Sequence, residues 1–298
     1  MSFQKTLLNK YLRLTEKRQL AKVRDPHAQR RTFERKARLF FRPPRGTSYH
    51  DAGLAPNIPA QWVETVDVQS GPLILYFHGG GYIFGSPKTH RAMLAHLSQK
   101  TRLTACLPQY RLAPEHPFPT ALDDALSAYI AAADRPEGII LGGDSAGGGL
   151  ALALLAQILQ RGLRPPIGVF AFSPFTDATY SGDSFASNAQ VDVVLPAHRS
   201  RELAQMYLQG ADPADPRVSP LFADFTGAPP IWLAAGDTEI LLDDSRRLAD
   251  RLVDQGVDVT CLVEPDLPHV WPIFQNILPE ARQTMTELTG WITSLSRL

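Results

Sequence analysis

The sequence predicts an α/β fold: a doubly wound, mostly parallel sheet preceded by a helical segment. Three observations predict it. From Leu73 onward, short apolar runs rich in strand formers alternate with longer helical segments. One strand-to-helix junction carries Gly143-Asp144-Ser145-Ala146-Gly147. The chain also opens with amphipathic helical patterning.

In order, residues 59–67 read as an early strand. Strand 73–77, a helix around 89–100, strand 103–107 and a helix around 120–132 follow. Next come strand 138–142, helix 146–161 and strand 167–172. Residues 176–215 interrupt the alternation with a polar stretch holding one helix, about 196–209, which is long for a plain connection. Strand 230–235, a helix running to about 255 with Asp243 and Asp244 as its N-terminal acids, strand 258–263 and helix 279–295 complete the pattern.

The first 46 residues hold fourteen Lys/Arg against three Asp/Glu, a balance of +11, so the rest carries −11 in a chain of net charge zero. They read as two amphipathic helices, about Ser2 to Val23 and about Pro26 to Phe41. Asp25 is the N-cap of the second, and Pro43-Pro44 ends it. Such a segment covers an active site, attaches to an anionic surface, or is an ordinary solvated basic face. No nucleic-acid recognition motif accompanies the charge.

Composition is that of a globular domain, 44% apolar and 20% charged. Apolar runs break before 18 residues, which argues against a membrane span. The N-terminus shows no secretory h-region, so the expectation is a cytoplasmic protein. Cys106 and Cys261 lie in strand-like runs and read as buried free thiols. Neither C-x-x-C nor H-E-x-x-H occurs, so no metal and no cofactor are expected.

The chemistry centres on Ser145. A G-x-S-x-G turn between strand and helix lifts its serine to the top of a sheet and aims a helix N-terminus at the reacting centre. Upstream, strand 73–77 ends in His78-Gly79-Gly80-Gly81. Three glycines there are costly unless backbone N–H groups must turn toward a ligand. Gly80 and Gly81, with Ala146 after the nucleophile, are the expected oxyanion donors; Gly79 is a further candidate. The spacing of a dinucleotide-binding loop, G-x-G-x-x-G, is absent. Of eight histidines, only His269 comes after the nucleophile, follows a strand and leaves room for an acid before it. That acid should follow strand 230–235, where Asp237 and Glu239 both stand.

His78-Gly79-Gly80-Gly81, Gly142 to Gly148 (GGDSAGG), Tyr110 to Pro119 (YRLAPEHPFP) and Pro268-His269-Val270 together span residues 78–270. In these stretches the chain resembles the bacterial hormone-sensitive-lipase family of carboxylesterases, with the α/β-hydrolase fold. The family pattern D-P-L-x-D, aligned with Asp243, places the triad acid at Glu239, with Glu for Asp and Ile240 for Pro. The resemblance implies a serine carboxylesterase acting on short- to medium-chain esters through an acyl-enzyme. It also implies a helical cap over residues 1–47 joined by the 176–215 insertion, a catalytic domain over 48–298, and a homodimer through the sheet edge. Within Tyr110–Pro119, Arg111 and Glu115 are expected to pair locally. Tyr82 and Phe84 are candidate pocket walls. An amidase or lactonase with the same triad, or a non-catalytic small-ligand binder, remain the alternatives.

Overall fold

The computed structural model describes residues 2–22, 24–56 and 58–295. Val23, the expected end of the first helix, lies outside the described residues, as do Met1 and residues 296–298 of the expected domains. The strands are β1 (Ser48–Ala55), β2 (Ile58–Glu64), β3 (Leu73–Phe77), β4 (Ala105–Pro108), β5 (Ile139–Asp144), β6 (Gly168–Phe172), β7 (Ile231–Gly236) and β8 (Val259–Glu264). The helices are α1 (Phe3–Leu14), α2 (Glu16–Lys22), α3 (Pro26–Phe40), α4 (Pro87–Thr101), α5 (Thr120–Ala132), α6 (Ala146–Gln160), α7 (Ser184–Ser187), α8 (Ala197–Leu208), α9 (Leu242–Asp254) and α10 (Pro279–Leu295).

The strands form one sheet in the order β1-β2-β4-β3-β5-β6-β7-β8. From β4 to β8 every pairing is parallel, while β1–β2 and β2–β4 are antiparallel. Central strands read as continuous apolar runs because both faces are covered. Leu73, Leu75, Phe77, Leu141, Val169 and Leu233 face a core shared with α5, α6 and α9. Their neighbours Ile74, Tyr76, Ile140, Phe170 and Trp232 face a second core shared with α4 and α10. The two-residue period of the strand sorts the side chains between layers.

Three elements differ from expectation, the first being α7, a one-turn second helix in the 176–215 stretch expected to hold one. β1 was not anticipated, since its residues are mostly exposed and polar; it is a solvated ribbon paired only to β2, with no apolar run to betray it. The expected single first helix breaks at Thr15, whose hydroxyl and amide both bond to the Tyr11 carbonyl. Asp25 does cap α3, accepting from the His27 amide at 2.9 Å.

The N-terminal helices are tied down by long cationic side chains. Lys5 reaches the Pro265 carbonyl at 2.9 Å, and Lys17 the Ala189 and Asp192 carbonyls. Arg30 forks onto Glu115 at 2.7 and 2.8 Å and also donates to the Ile83 and Ala113 carbonyls. The local Arg111–Glu115 pair expected from sequence does not form. Arg111 instead pairs with Asp124 at 2.6 Å, one turn into α5, and Glu115 belongs to Arg30. Cys106 is buried as expected, its thiol pushed by burial up to about 12, but Cys261 is only half-buried because β8 is the sheet edge.

Candidate active site

The sharp turn after β5 determines the site. Ser145 holds φ 51°, ψ −123°, a conformation that a non-glycine residue adopts only where its surroundings impose it. They do so by close packing of α6 under β3: a Cβ on Gly147 would lie 2.1 Å from the Phe77 carbonyl oxygen. The turn is also locked by the Ser145 amide donating to the Phe172 carbonyl at 2.9 Å.

Across the tips of β5, β7 and β8, three side chains join in a chain. Ser145 Oγ lies 2.9 Å from His269 Nε2, and His269 Nδ1 lies 2.6 Å from Glu239 Oε2. Glu239 is itself fixed: its Oε1 accepts from the Gly236 amide at 2.5 Å and the Ser173 hydroxyl at 2.8 Å. Ser173 in turn accepts from the Val270 amide, next to His269. Burial pushes the His269 pKa down, but the charge and hydrogen bond of Glu239, helped by Asp192 and Asp144, carry it above 6.5. Because Nδ1 faces a carboxylate, the proton sits there and Nε2 is left to accept from Ser145.

Asp237, the rival acid, points elsewhere. Its Oδ1 accepts from the Asp266 amide at 2.7 Å, which ties the turn after β7 to the turn after β8.

The glycine loop after β3 is divided in function. The Gly79 amide donates to Asp144 Oδ1 at 3.0 Å, so it is already spent and Gly79 leaves the set of candidate oxyanion donors. The Gly80 and Gly81 amides donate to none of the described residues. Gly80 has φ 124°, and a Cβ there would lie 2.2 Å from the Phe84 carbonyl, so the turn requires glycine. Ala146 is the first residue of α6, where the N–H has no acceptor within the helix. Gly80, Gly81 and Ala146 all line the same cavity as Ser145 and His269.

Beneath the loop is a buried polar knot centred on Asp144. Asp144 also takes the Tyr76 hydroxyl at 2.8 Å and stands 3.2 Å from His90 Nε2. Burial opposes its charge, but His90 and the Tyr76 hydroxyl hold its pKa below the usual value. His78 is driven by burial, and by His90, down to about 3. It is therefore neutral, and its Nδ1 donates to the Gly79 carbonyl at 2.9 Å. Two residues escaped the sequence altogether. Ser173 offered no signal. Asp192 is an acid inside the apolar run Val191–Leu195; it is buried and accepts from the Val194, Leu195 and Ile240 amides. Asp243 and Asp244 do more than complement the α9 dipole. They accept from the Ser184 amide and from the Thr176 and Asp177 amides, anchoring the 176–215 insertion.

Above Ser145 lies a cavity of about 590 Å³, walled by Phe33, Tyr82, Phe84, Phe175, Leu203 and Tyr207 among others. Tyr82 stacks on Tyr207 with ring centroids 3.9 Å apart, and Phe84 meets Phe33 edge-on at 5.8 Å. Leu7, Tyr11 and Phe40, from α1 and α3, complete the walls. No group of residues that could hold a metal ion occurs among the described residues. None of their helices is long and apolar enough to cross a membrane.

This strand order, with a strained serine at the β5–α6 turn facing a histidine and a carboxylate on later strand tips, defines an α/β-hydrolase. Residues 74–273 match the family described as alpha/beta hydrolase fold. The chain is 36% identical to an acetyl-hydrolase of Streptomyces hygroscopicus over 78% of each protein, and 36% identical to an esterase of Acinetobacter venetianus over 75% of each. Among solved structures, an esterase of the bacterial hormone-sensitive lipase family superposes with a TM-score of 0.91 at 33% identity, covering 100% of this chain and 98% of that one. EstE5, in a crystal soaked with p-nitrophenyl butyrate, superposes with a TM-score of 0.93 at 34% identity and full coverage of both chains. The chain belongs to the bacterial hormone-sensitive-lipase family of carboxylesterases, and it is a carboxylic ester hydrolase.

Proposed function

We propose that the protein hydrolyses short- to medium-chain carboxylic esters through an acyl-enzyme, with Ser145, His269 and Glu239 as its triad. The observation that carries this is the unbroken relay from Ser145 Oγ through His269 to Glu239, 2.9 and 2.6 Å long, at the floor of an apolar cavity. His269 takes the serine proton as Oγ attacks the carbonyl carbon, then gives it to the departing alcohol oxygen. Glu239 holds the imidazole tautomer and balances the imidazolium. The amides of Gly80, Gly81 and Ala146 stabilise the tetrahedral oxyanion. Water activated by His269 then releases the acid and frees Ser145. On this reading α1–α3 and the 176–215 insertion form a cap that bounds the acyl chain, with Tyr82 and Phe84 in the wall. The molecule works in the cytoplasm, and two copies pair through the open edge of β8, an association that light scattering would read.

The test is hydrolysis of p-nitrophenyl esters from short to long acyl chains, with wild type beside Ser145→Ala. Preference for acyl groups of about four to six carbons, abolished in the variant, is the expected result. A clear preference for long fatty acyl chains, or activity surviving in Ser145→Ala, would overturn the assignment.

A further inference from the structure

We propose that the outer face of the cap docks onto an anionic lipid surface, with the mouth of the cavity turned toward the lipid. Two independent features meet on that face. The first is apolar. In α1, Leu8 and Leu12 point inward and are buried, Phe3 and Leu14 lie on the outer face, 79% and 53% exposed, and Leu7 and Tyr11 stand at the rim between, 59% and 39% exposed. Leu39 and Phe40 at the end of α3 are 64% and 42% exposed, and the Phe40 ring lies 5.9 Å from that of Tyr11. Lys36 meets Glu16 and Gln29 meets Gln19 further along, so α1–α2 and α3 run antiparallel, side by side.

The second feature is charge. All three acids of residues 1–46 are engaged: Glu16 holds Lys36, Asp25 caps the His27 amide, and Glu34 accepts from Ser86. The cations divide differently. Lys5, Arg13, Lys17, Arg30 and Lys36 are spent on fixing the helices. Lys10, Arg18, Lys22, Arg24, Arg31, Arg35 and Arg38 are exposed and form no ion pair among the described residues. Arg31, Arg35 and Arg38 follow one another at helical spacing on α3, the helix whose end carries Leu39 and Phe40.

An amphipathic helix whose large apolar side chains are flanked by unpaired cations has the composition of an interfacial helix. The charge selects among occupants. A second copy would set one basic face against another, and an uncharged surface would leave the cations unanswered. An anionic bilayer answers both features, the headgroups taking the Arg and Lys side chains and the acyl boundary taking Phe3, Leu7 and Leu14. Leu7, Tyr11 and Phe40 also line the cavity, so the docked face and the entrance to the site are the same surface.

The experiment is co-sedimentation of the full-length protein with phosphatidylglycerol-rich and with pure phosphatidylcholine vesicles. Wild type should partition to the first and not the second. The variant Arg31→Gln/Arg35→Gln/Arg38→Gln should lose about a hundredfold in affinity, at roughly fivefold per cation. The variant Phe3→Ser/Leu14→Ser, with unchanged charge, should lose at least about tenfold. None of these five residues lines the cavity, so hydrolysis of a soluble short-chain ester should be unchanged and reports that each variant is folded. Failure to bind phosphatidylglycerol vesicles, or equal binding to both kinds, would overturn the proposal. Full binding by Phe3→Ser/Leu14→Ser would also overturn it, because the face would then be a simple polyanion site.

Discussion

Replacing Glu239 by glutamine separates the two carboxylates that compete in the sequence. Glu239 accepts three hydrogen bonds: Oε1 from the Gly236 amide and the Ser173 hydroxyl, Oε2 from His269 Nδ1. A glutamine can keep the first two only by presenting its carbonyl oxygen to them. Its NH2 then faces His269 Nδ1, which must become the acceptor. The ring proton moves to Nε2, where it confronts Ser145 Oγ and the base is lost. The opposite flip restores the tautomer but sets two donors against the NH2. Amide replacement of a triad acid costs serine proteases roughly ten-thousandfold in kcat. The same loss is expected here, about 5–6 kcal/mol of transition-state stabilisation. A second readout is the pH profile. In the wild type kcat/KM should fall as pH drops through the His269 pKa, which lies above 6.5, with Glu239 the chief group raising it. In Glu239→Gln the residual activity should keep its acid limb to lower pH. Asp237→Asn should lose little, because an asparagine oxygen can still accept from the Asp266 amide. The assay is p-nitrophenyl butyrate hydrolysis across pH for the three proteins. If Asp237→Asn lost the four powers of ten and Glu239→Gln did not, the assignment of the acid would be wrong.

Other outcomes follow from the surrounding geometry. Asp144→Ala leaves the Tyr76 hydroxyl and the Gly79 amide unpaired in the core, and should cost about 3–5 kcal/mol; a thermal midpoint lowered by less than about 5 °C would contradict it. Tyr207→Ala removes the ring stacked on Tyr82 and opens the cavity wall, so the ratio of eight-carbon to four-carbon ester hydrolysis, read as kcat/KM at about two acyl lengths, should rise. Burial raises the Asp244 pKa from 3.8 to about 7, despite the Thr176 and Asp177 amides. The folded state therefore holds the extra proton between those values, and the stability this gives is complete at the acid end and lost as pH rises toward 7. Asp244→Asn, which keeps an acceptor for both amides and does not titrate, should remove a decline of at most roughly 4 kcal/mol across that window, measured by thermal unfolding against pH.

The elements that build the site were readable because each imposes a local rule. β3, β6, β7 and β5 up to its last residue are buried on both faces and so must be apolar, and the β5–α6 turn must carry glycines where α6 runs beneath β3. β1 obeys no such rule; half of a ribbon open to water leaves no periodic trace. The glycine loop shows the same boundary inside the site. Residue type could say that Gly79, Gly80 and Gly81 offer amides, but which amide is spent depends on Asp144, a residue 65 positions away whose carboxylate arrives only when β3 and β5 pair. Ser173 and Asp192 were invisible for that reason too: their importance is entirely in what they meet.

The acid is the clearest case, because sequence distance misleads. Asp237 directly follows β7 and lies nearer the strand end than Glu239, yet the chain must turn before a carboxylate can reach back. The Glu239 amide bonds to the Gly236 carbonyl, and its side chain returns to the Gly236 amide. That closed turn spends Oε1 on backbone and leaves Oε2 for His269. Gly236 could not carry a side chain there, since a Cβ would lie 2.2 Å from the Leu267 carbonyl. The same approach of the β7 and β8 turns brings His269 within reach. The glycine, the two-residue offset and the longer acid are one solution, and shortening Glu239 to Asp without moving the turn should break it. Glu239→Asp is therefore expected to lose about a hundredfold or more in kcat with little change in KM. Wild-type activity in that variant would show that the turn yields and that the length of the acid carries no weight.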